Sequence, residues 1–279
     1  MGIVIGIDVG ISTTKIVGLK DGQPSAPIRI TAADPIASLY GAFGKYLHDN
    51  NIQLDEVEHV MLTGVGAAYV KNDVYGVNTS RCDEFIADAL GARYESHLDP
   101  AIVVSMGTGT SFVMCDGEDI SHIGGIGIGG GTLQGLSRLL LNTGDIRQVS
   151  ELAMQGDISH VNLLIGDISA QPLPGLPMNA TASLFARAQS NASQEDIAAG
   201  LINMVLQTIG SASVLASQGT DCRDMVLIGQ LTLLPQCRDI FPNFEQLYGV
   251  RFHIPKFSQY CTAIGAALAY GKDEPSSPR

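Results

Sequence analysis

Asp8 closes an apolar run of β-type residues beginning at Ile3, and the turn after it, Val9-Gly10-Ile11-Ser12-Thr13, leads into a second such run from Thr14 to Leu19. A carboxylate at the end of a strand can hold Mg²⁺ directly or through water, while the N–H and hydroxyl groups of Gly10, Ser12 and Thr13 can meet phosphate oxygens. Lys15 adds a cation, or is simply solvated. The same arrangement recurs further on. Ala101 to Val104 is an apolar run, Gly107 and Gly109 make a turn, and Thr108, Thr110 and Ser111 supply hydroxyls beside it. A second β-type run, Phe112 to Cys115, ends at Asp116-Gly117, a dipeptide that closes hairpins. Gly124 to Gly131 then holds six glycines in eight positions and feeds an apolar helical pattern at Leu133, Leu136, Leu139 and Leu140. Glycine at that density lets backbone N–H groups approach an oxyanion, and a helix start behind it adds a positive dipole end. Gly-rich loops also serve as linkers and packing turns, and this one matches neither a P-loop nor a dinucleotide fingerprint. Its pairing with two polar-tipped hairpins makes a phosphate cradle the better reading.

The elements that must position these groups read as a mixed α/β chain. With 279 residues, 45% apolar and 16% charged, it has room for two medium domains. A net charge of −12 without a Lys/Arg cluster argues against a nucleic-acid partner, so an anionic ligand must be held by backbone N–H groups, a metal or a few cations. The five cysteines show no CxxC spacing and read as reduced thiols. The N-terminus lacks a signal-peptide pattern and no apolar run reads as membrane-spanning, so a cytoplasmic location without membrane contact is expected.

Along the chain, Pro27 to Ala32 reads as a strand, Pro35 to His48 as a helix with proline in its first turn, and Val57 to Leu62 as a strand ending in the glycine turn Thr63-Gly64-Val65-Gly66-Ala67. Val77 to Arg81 reads as a short strand, and Asp83-Glu84-Phe85 starts a helix running to about Tyr94, its two acids by default merely stabilising the dipole. Thr132 to Asn142 and Ile146 to Gln155 read as helices, and Pro172 to Pro177 as a loop. Ser193 caps a long helix to about Ser217 that is apolar nearly all round and therefore expected to be buried. Met225 to Ile228 is a strand ending at Gly229. Pro235 to Tyr248 reads as a helix broken near Pro242, Val250 to Ile254 as a strand, and Cys261 to Tyr270 as a small-residue helix; from Asp273 onward the chain reads as a frayed tail. No internal repeat is visible.

A DxG hairpin with hydroxyls, a second hairpin with GTGTS and a late glycine at a strand end resemble the actin-like ATPase and sugar kinase superfamily. Within it, IDVGISTTK, LTGVGA, VSMGTGTS and GGIGIGGGTLQGL are similar to type II pantothenate kinases, in the same order over nearly the whole chain. The resemblance implies two actin-like (ribonuclease H-like) α/β domains, residues 1–98 and 99–279, flanking an ATP cleft. It implies ATP-dependent phosphorylation of pantothenate to 4′-phosphopantothenate, the first step toward coenzyme A. Asp8 would face Mg²⁺; Gly10, Ser12, Thr13 and Lys15 one side of ATP; Gly107, Thr108, Gly109, Thr110, Ser111, Gly127, Gly129, Gly130 and Gly131 the other; and Gly229 the nucleoside. Glu84 would be the general base, with Ser105, Thr108, His122 and Gly125 beside the acceptor, and Asp83 a surface acid. Phosphoryl transfer to a primary alcohol needs one such carboxylate to accept the hydroxyl proton. The resemblance further implies a homodimer through the long helix and leaves room for a coenzyme A or acyl-CoA ligand.

One departure stands out. Where the family shows arginine just before the residue preceding GGIG, this chain has Ser121-His122-Ile123. Histidine can donate a hydrogen bond or pair with a carboxylate, but lacks arginine's permanent charge and bidentate fork. Two alternatives stay open: a kinase of the same superfamily acting on another hydroxyl compound, such as an amino sugar, and a non-catalytic nucleotide- or acyl-CoA-responsive regulatory module.

Overall fold

In the computed structural model, residues 2–11, 13–31, 34–171 and 176–271 are described, so Ser12 and most of the proline-rich loop lie outside that set. The first sheet contains β1 (Ile3–Val9), β2 (Thr13–Lys20), β3 (Gln23–Pro24) and β4 (Ile28–Thr31), then, after helix α1 (Pro35–Asp49), β5 (Val57–Thr63) and β6 (Thr79–Arg81). Its order is β3-β2-β1-β5-β6, with β4 also paired to β2. Helix α2 (Glu84–Ser96) leads to the second sheet, which begins with β7 (Ala101–Met106), β8 (Thr110–Asp116) and β9 (Asp119–Ile126). Helices α3 (Gly130–Leu141) and α4 (Ile146–Ala153), a small ribbon of β10 (Leu163–Leu164), α5 (Ile165–Ile168) and β11 (Thr181–Ser183), and helix α6 (Gln194–Ser217) follow. The chain then returns through β12 (Asp224–Ile228), α7 (Cys237–Tyr248), β13 (Arg251–His253) and α8 (Cys261–Leu268), giving the sheet order β13-β12-β7-β8-β9.

The two sheets share one plan. In each, an antiparallel hairpin (β1–β2, β7–β8) carries a further antiparallel strand beyond its second arm and two parallel strands beyond its first. Only the paired hairpins of this duplication are legible in the sequence; the strands flanking them repeat order and burial but not residues. β-branched residues fill β1, and their alternation sends Ile5, Ile7 and Ile16 toward Leu39, Phe43 and Tyr46 of α1. The opposite face receives Val17 and Met61, which pack with Ala263, Ile264 and Ala266 of α8. On the second sheet one face meets Leu133, Val149, Leu201, Ile209 and Phe241 of α3, α4, α6 and α7, and the other meets Ala89 and Ala92 of α2.

Helices α2 and α8 therefore lie between the sheets and cross closely. A Cβ on Gly91 would collide with the carbonyl of Cys261, and one on Gly265 with that of Ala87, so only glycine permits this approach. The small residues of EFIADALGA and CTAIGAAL are the reason the two helices can share one narrow layer.

Most expected elements appear with ends shifted by a residue or two, and three differences stand out. Gly124 to Ile126 belongs to β9 and not to a loop; glycine is disfavoured in strands, which hid its ladder with β8. Helix α7 runs unbroken through Pro242. Helix α6 is long and apolar enough, by length and composition, to cross a membrane, contrary to the expectation that no segment would be; 67% of its most apolar window is buried inside the protein, as its core-helix reading requires. Ser193 caps it, accepting a hydrogen bond from the Asp196 N–H at 3.1 Å.

Candidate active site

The first hairpin holds a carboxylate and an ammonium together. Asp8 and Lys15 are directly opposite in the β1–β2 ladder, and Lys15 Nζ donates to Asp8 Oδ2 at 2.9 Å with side chains only 13% and 10% exposed. Asp8 Oδ1 lies beside Gly64, where a Cβ would come within 2.7 Å of it, so the glycine leaves that oxygen approachable. Thr63 precedes it, paired with Asp8 across β5, and its buried hydroxyl oxygen has no hydrogen-bond partner.

Helix α2 adds two more carboxylates. Asp83 is exposed, as expected of a surface acid, and is also the cap of α2: Oδ1 accepts from the N–H groups of Phe85 at 2.8 Å and Ile86 at 3.2 Å, fixing the turn that carries Glu84. Glu84 keeps an open side to solvent while the surrounding protein crowds its carboxylate. Desolvation first, then the charges of Asp88 and Asp8, push its pKa up to about 7, against the opposing pull of Lys15. One turn on, Asp88 is buried at 1% exposure. Its Oδ1 accepts from Thr262 Oγ1 of α8 at 2.6 Å, and its Oδ2 has no hydrogen-bond partner. Burial pushes the Asp88 pKa up to about 6, partly offset by the hydroxyls of Thr262 and Ser105. Burial likewise acts to lower the Lys15 pKa, but Asp8, with Asp88 and Glu84, outweighs it and holds the ammonium above its ordinary value. Three carboxylates thus surround one cation.

The second hairpin and the glycine run form one braced unit. Thr110 Oγ1 donates to the Ile128 carbonyl at 2.8 Å, Gly130 N–H to Gly107 O at 2.8 Å and Gly131 N–H to Thr108 O at 2.9 Å. The two N–H groups expected to cradle phosphate at the start of α3 are therefore engaged by the hairpin, and their observed task is to hold its tip. Thr132 Oγ1 closes the turn on Gly127 O at 2.9 Å. Ser111 and Thr110 sit opposite Gly125 and Ile126 in the β8–β9 ladder, and Ser105 sits opposite Ser111 on β7. A bulge between Phe112 and Val113 shifts that ladder next to His122, whose ring stacks on Phe85 with centroids 4.1 Å apart and planes 10° apart. His122 is thus held beside the turn bearing Glu84.

At the end of β12, Gly229 has φ +96°, a Cβ there would approach Met106 O to 2.5 Å, and its N–H donates to Ser258 O at 2.9 Å. The next residue, Gln230, has a buried side-chain carbonyl oxygen with no partner. Gly10 N–H bonds Thr13 O at 3.0 Å, closing the tip of the first hairpin. Ser12 lies outside the described residues. Two surface pockets of about 310 and 630 Å³ lie elsewhere, the first lined by residues such as Asp99, Arg223 and Arg251, the second by others such as Gln53, Glu58 and Tyr75.

Asp88 was not among the residues singled out by the sequence, and Gly64, Gln230 and Thr262 were read only as parts of a glycine turn, a strand end and a small-residue helix, with no role of their own at the site. For Asp88 a signal existed: it stands four residues after Glu84, on the same helical face, in the otherwise apolar stretch Phe85 to Ala92. Thr262 is tied to it across 174 positions, which no local pattern reveals.

Two sheets built on one plan, each presenting a polar-tipped hairpin, with acidic groups gathered at the interposed helix, define a two-lobed α/β protein of the actin-like type. Solved structures share the fold: the activator of the 2-hydroxyisocaproyl-CoA dehydratase from Clostridium difficile with bound ADPNP aligns with a TM-score of 0.69 at 17% identity, over 95% of this chain and 93% of that one. The chain belongs to the Fumble family, whose model matches residues 70–236. Proteins named type II pantothenate kinase are similar along most of its length: 27% identical in Staphylococcus epidermidis (76% of this chain, 83% of that protein), 25% in Staphylococcus haemolyticus (94% and 98%) and 26% in Staphylococcus aureus (96% and 99%). A ROK family protein from Streptococcus pneumoniae in complex with sucrose shares the fold at a TM-score of 0.58 and 12% identity, covering 95% of this chain and 96% of that one.

Proposed function

We propose that this protein is a pantothenate kinase, transferring the γ-phosphoryl group of ATP to the primary hydroxyl of pantothenate to give 4′-phosphopantothenate. The observation that carries the reading is the gathering of Asp8, Lys15 and Glu84 from β1, β2 and α2 within a Fumble-family chain. Glu84 has the attributes of a general base: an open side that an alcohol can reach, and a carboxylate whose pKa, near 7, suits proton acceptance at neutral pH. The lobes are taken as residues 1–98 and 99–279, with ATP between the hairpin tips.

The residues fit the nucleotide and its metal. Three carboxylates against one ammonium leave this region negative, so a triphosphate requires a divalent cation to approach it. Asp8 would hold Mg²⁺ through the oxygen that Gly64 leaves open, with the ion otherwise bound by phosphate, in keeping with magnesium's use of one or two carboxylates. When bound, the ion neutralises charge on the phosphoryl oxygens. Lys15 fixes the orientation of Asp8; Thr13 at the first tip and Gly107, Thr108, Gly109 and Ser111 at the second would face phosphate, while Gly10 N–H closes the first tip on Thr13 O and Thr110 Oγ1 braces the second on Ile128 O; Gly127 to Gly131 brace the second tip; and Gly229 and Gln230 would face the nucleoside. Glu84 accepts the alcohol's proton as the new P–O bond forms. Ser105, Thr108, Gly125 and His122 border the acceptor.

The His122–Phe85 stack favours keeping a second acceptor class under test, since imidazole offers single hydrogen bonds in place of a guanidinium fork. A coupled ADP-release assay over pantothenate, pantetheine and amino sugars separates the readings. ATP- and Mg²⁺-dependent turnover on pantothenate that is lost in Glu84→Gln with ATP binding intact supports the kinase. Turnover on an amino sugar alone moves the assignment to another acceptor, and nucleotide binding without turnover on any of them overturns catalysis. The exposed Leu139, Met154 and Leu215 on the helical side of the second lobe support a homodimer, which sedimentation tests.

A further inference from the structure

We propose that Asp88 is a positioning residue for the phosphoryl transfer: buried one helical turn from Glu84 and anchored across the helix crossing by Thr262, its carboxylate sets the charge environment in which Glu84 takes the acceptor's proton. The inference rests on the reading of Glu84 as the base.

Packing gives no reason for a carboxylate at this place. The neighbours on α2, Ala87, Ala89, Gly91 and Ala92, are small and apolar, and α8 presents Ala263, Ala266 and Ala267. Asp88 is nonetheless almost fully buried, hydrogen-bonded through one oxygen only, with the other oxygen unpartnered. A buried acid without an ion-pair contact is costly unless it is neutralised or its charge serves a neighbour. Its neighbour is Glu84, one helical turn away and on the same face.

The charged and titratable groups around the pair are few. Asp83 shares α2, Asp8 and Lys15 face it from β1 and β2, and His122 lies over Phe85 from β9. Ser105 of β7 and Thr262 of α8 offer hydroxyls, and Cys261 of α8 is kept a neutral thiol by burial. Lys15 is already bonded to Asp8, so it balances only part of the negative charge. Burial raises both carboxyls, Asp88 to about 6 and Glu84 to about 7, and the two titrate as a coupled pair. Where Asp88 is ionised, its charge one helical turn away raises the proton affinity of Glu84.

The full-length chain labelled with ¹³C-glutamate tests this. The Glu84 carboxyl signal is assigned by its loss in Glu84→Gln, then titrated without nucleotide in the wild type and in Asp88→Asn, whose amide oxygen can still accept from Thr262. In parallel, kcat is measured against pH with ATP, Mg²⁺ and pantothenate. The Glu84 midpoint should fall by about one pH unit in Asp88→Asn and the acid limb of kcat should move with it. At pH 6 the variant then keeps roughly a fivefold larger fraction of its plateau rate than the wild type. Thr262→Val, which removes the anchor and leaves every charge in place, should lower the midpoint in the same direction by less, and Thr262→Ser should restore it. An unchanged midpoint in folded Asp88→Asn, or in Thr262→Val should the first variant not fold, overturns the inference. A midpoint that moves while pantothenate is not phosphorylated upholds the coupling and overturns the reading of the reaction.

Discussion

Gly129→Ala should weaken nucleotide binding by prising the second hairpin away from the start of α3. Gly129 has extended backbone, φ −178°, which alanine adopts freely, so the penalty is steric and not conformational. A Cβ there would meet Thr108 O at 2.6 Å, Gly109 O at 2.7 Å and Gly109 C at 2.8 Å, all of them backbone atoms that no rotamer change can move. Reaching ordinary contact, about 3.4 Å, requires the two segments to part by about 0.8 Å. The bonds from Gly130 and Gly131 N–H to Gly107 and Thr108 O, now 2.8 and 2.9 Å, would then be stretched past the hydrogen-bonding range. Losing both, at about 0.5–1.5 kcal/mol each, together with overpacking of about 1–3 kcal/mol, gives a cost of roughly 2–6 kcal/mol. Part of it appears as global destabilisation in urea unfolding, and part as a rise in KM for ATP of at least tenfold. Gly135→Ala, in the same helix with nothing within 4 Å of the new methyl group, is the control: it should gain about 0.5–1 kcal/mol with KM unchanged. Wild-type stability together with wild-type KM for ATP in Gly129→Ala would refute the claim that this packing holds the phosphate side of the cleft.

Further outcomes follow from the same structure. Asp83→Ala removes the cap of α2 and should cost about 0.5–2 kcal/mol in urea unfolding while also lowering kcat, because the freed turn carries Glu84; Asp83→Asn should restore most of both. Asp88 has a folded pKa near 6, above its ordinary 3.8, so its ionisation opposes folding: the penalty is absent below pH 4, grows as pH rises to about 6, and is constant above. Asp88→Asn should therefore gain stability relative to the wild type between pH 4 and pH 8, by an amount on the order of 3 kcal/mol, and a pH-independent difference would contradict the buried-anion assignment. Phe43→Ala, at a fully buried position between α1 and the first sheet, should cost about 3–5 kcal/mol in unfolding free energy; a loss below about 1 kcal/mol would show that this core is not packed as described.

What the sequence made legible is local. The alternation in IVIGID and TTKIVGLK, the Asp116-Gly117 turn and the Ser193 cap all lie within a few residues of the structure they dictate, and each element forms where those patterns put it. Glu84 could be singled out only through the resemblance, because an acid in a first helical turn is ordinarily a dipole partner. Features that depend on distant chain were hidden. The burial of Asp88 is created by α8, and the ladder that turns Gly124 to Ile126 into strand is supplied by β8. The glycine run shows the difference most plainly: its composition pointed to anion-binding N–H groups, whereas two of those groups are bonded to the neighbouring hairpin, a pairing that spacing alone does not encode.

The central claim is that one cleft brings ATP and an alcohol to Glu84. A crystal structure with a non-hydrolysable ATP analogue, Mg²⁺ and pantothenate measures it directly. Triphosphate is expected between the tips at Gly10 and Gly107, and the pantothenate primary hydroxyl within about 2.6–3.2 Å of a Glu84 carboxylate oxygen. Pantothenate bound with that hydroxyl turned away from Glu84, or nucleotide bound outside the two hairpins, would contradict it.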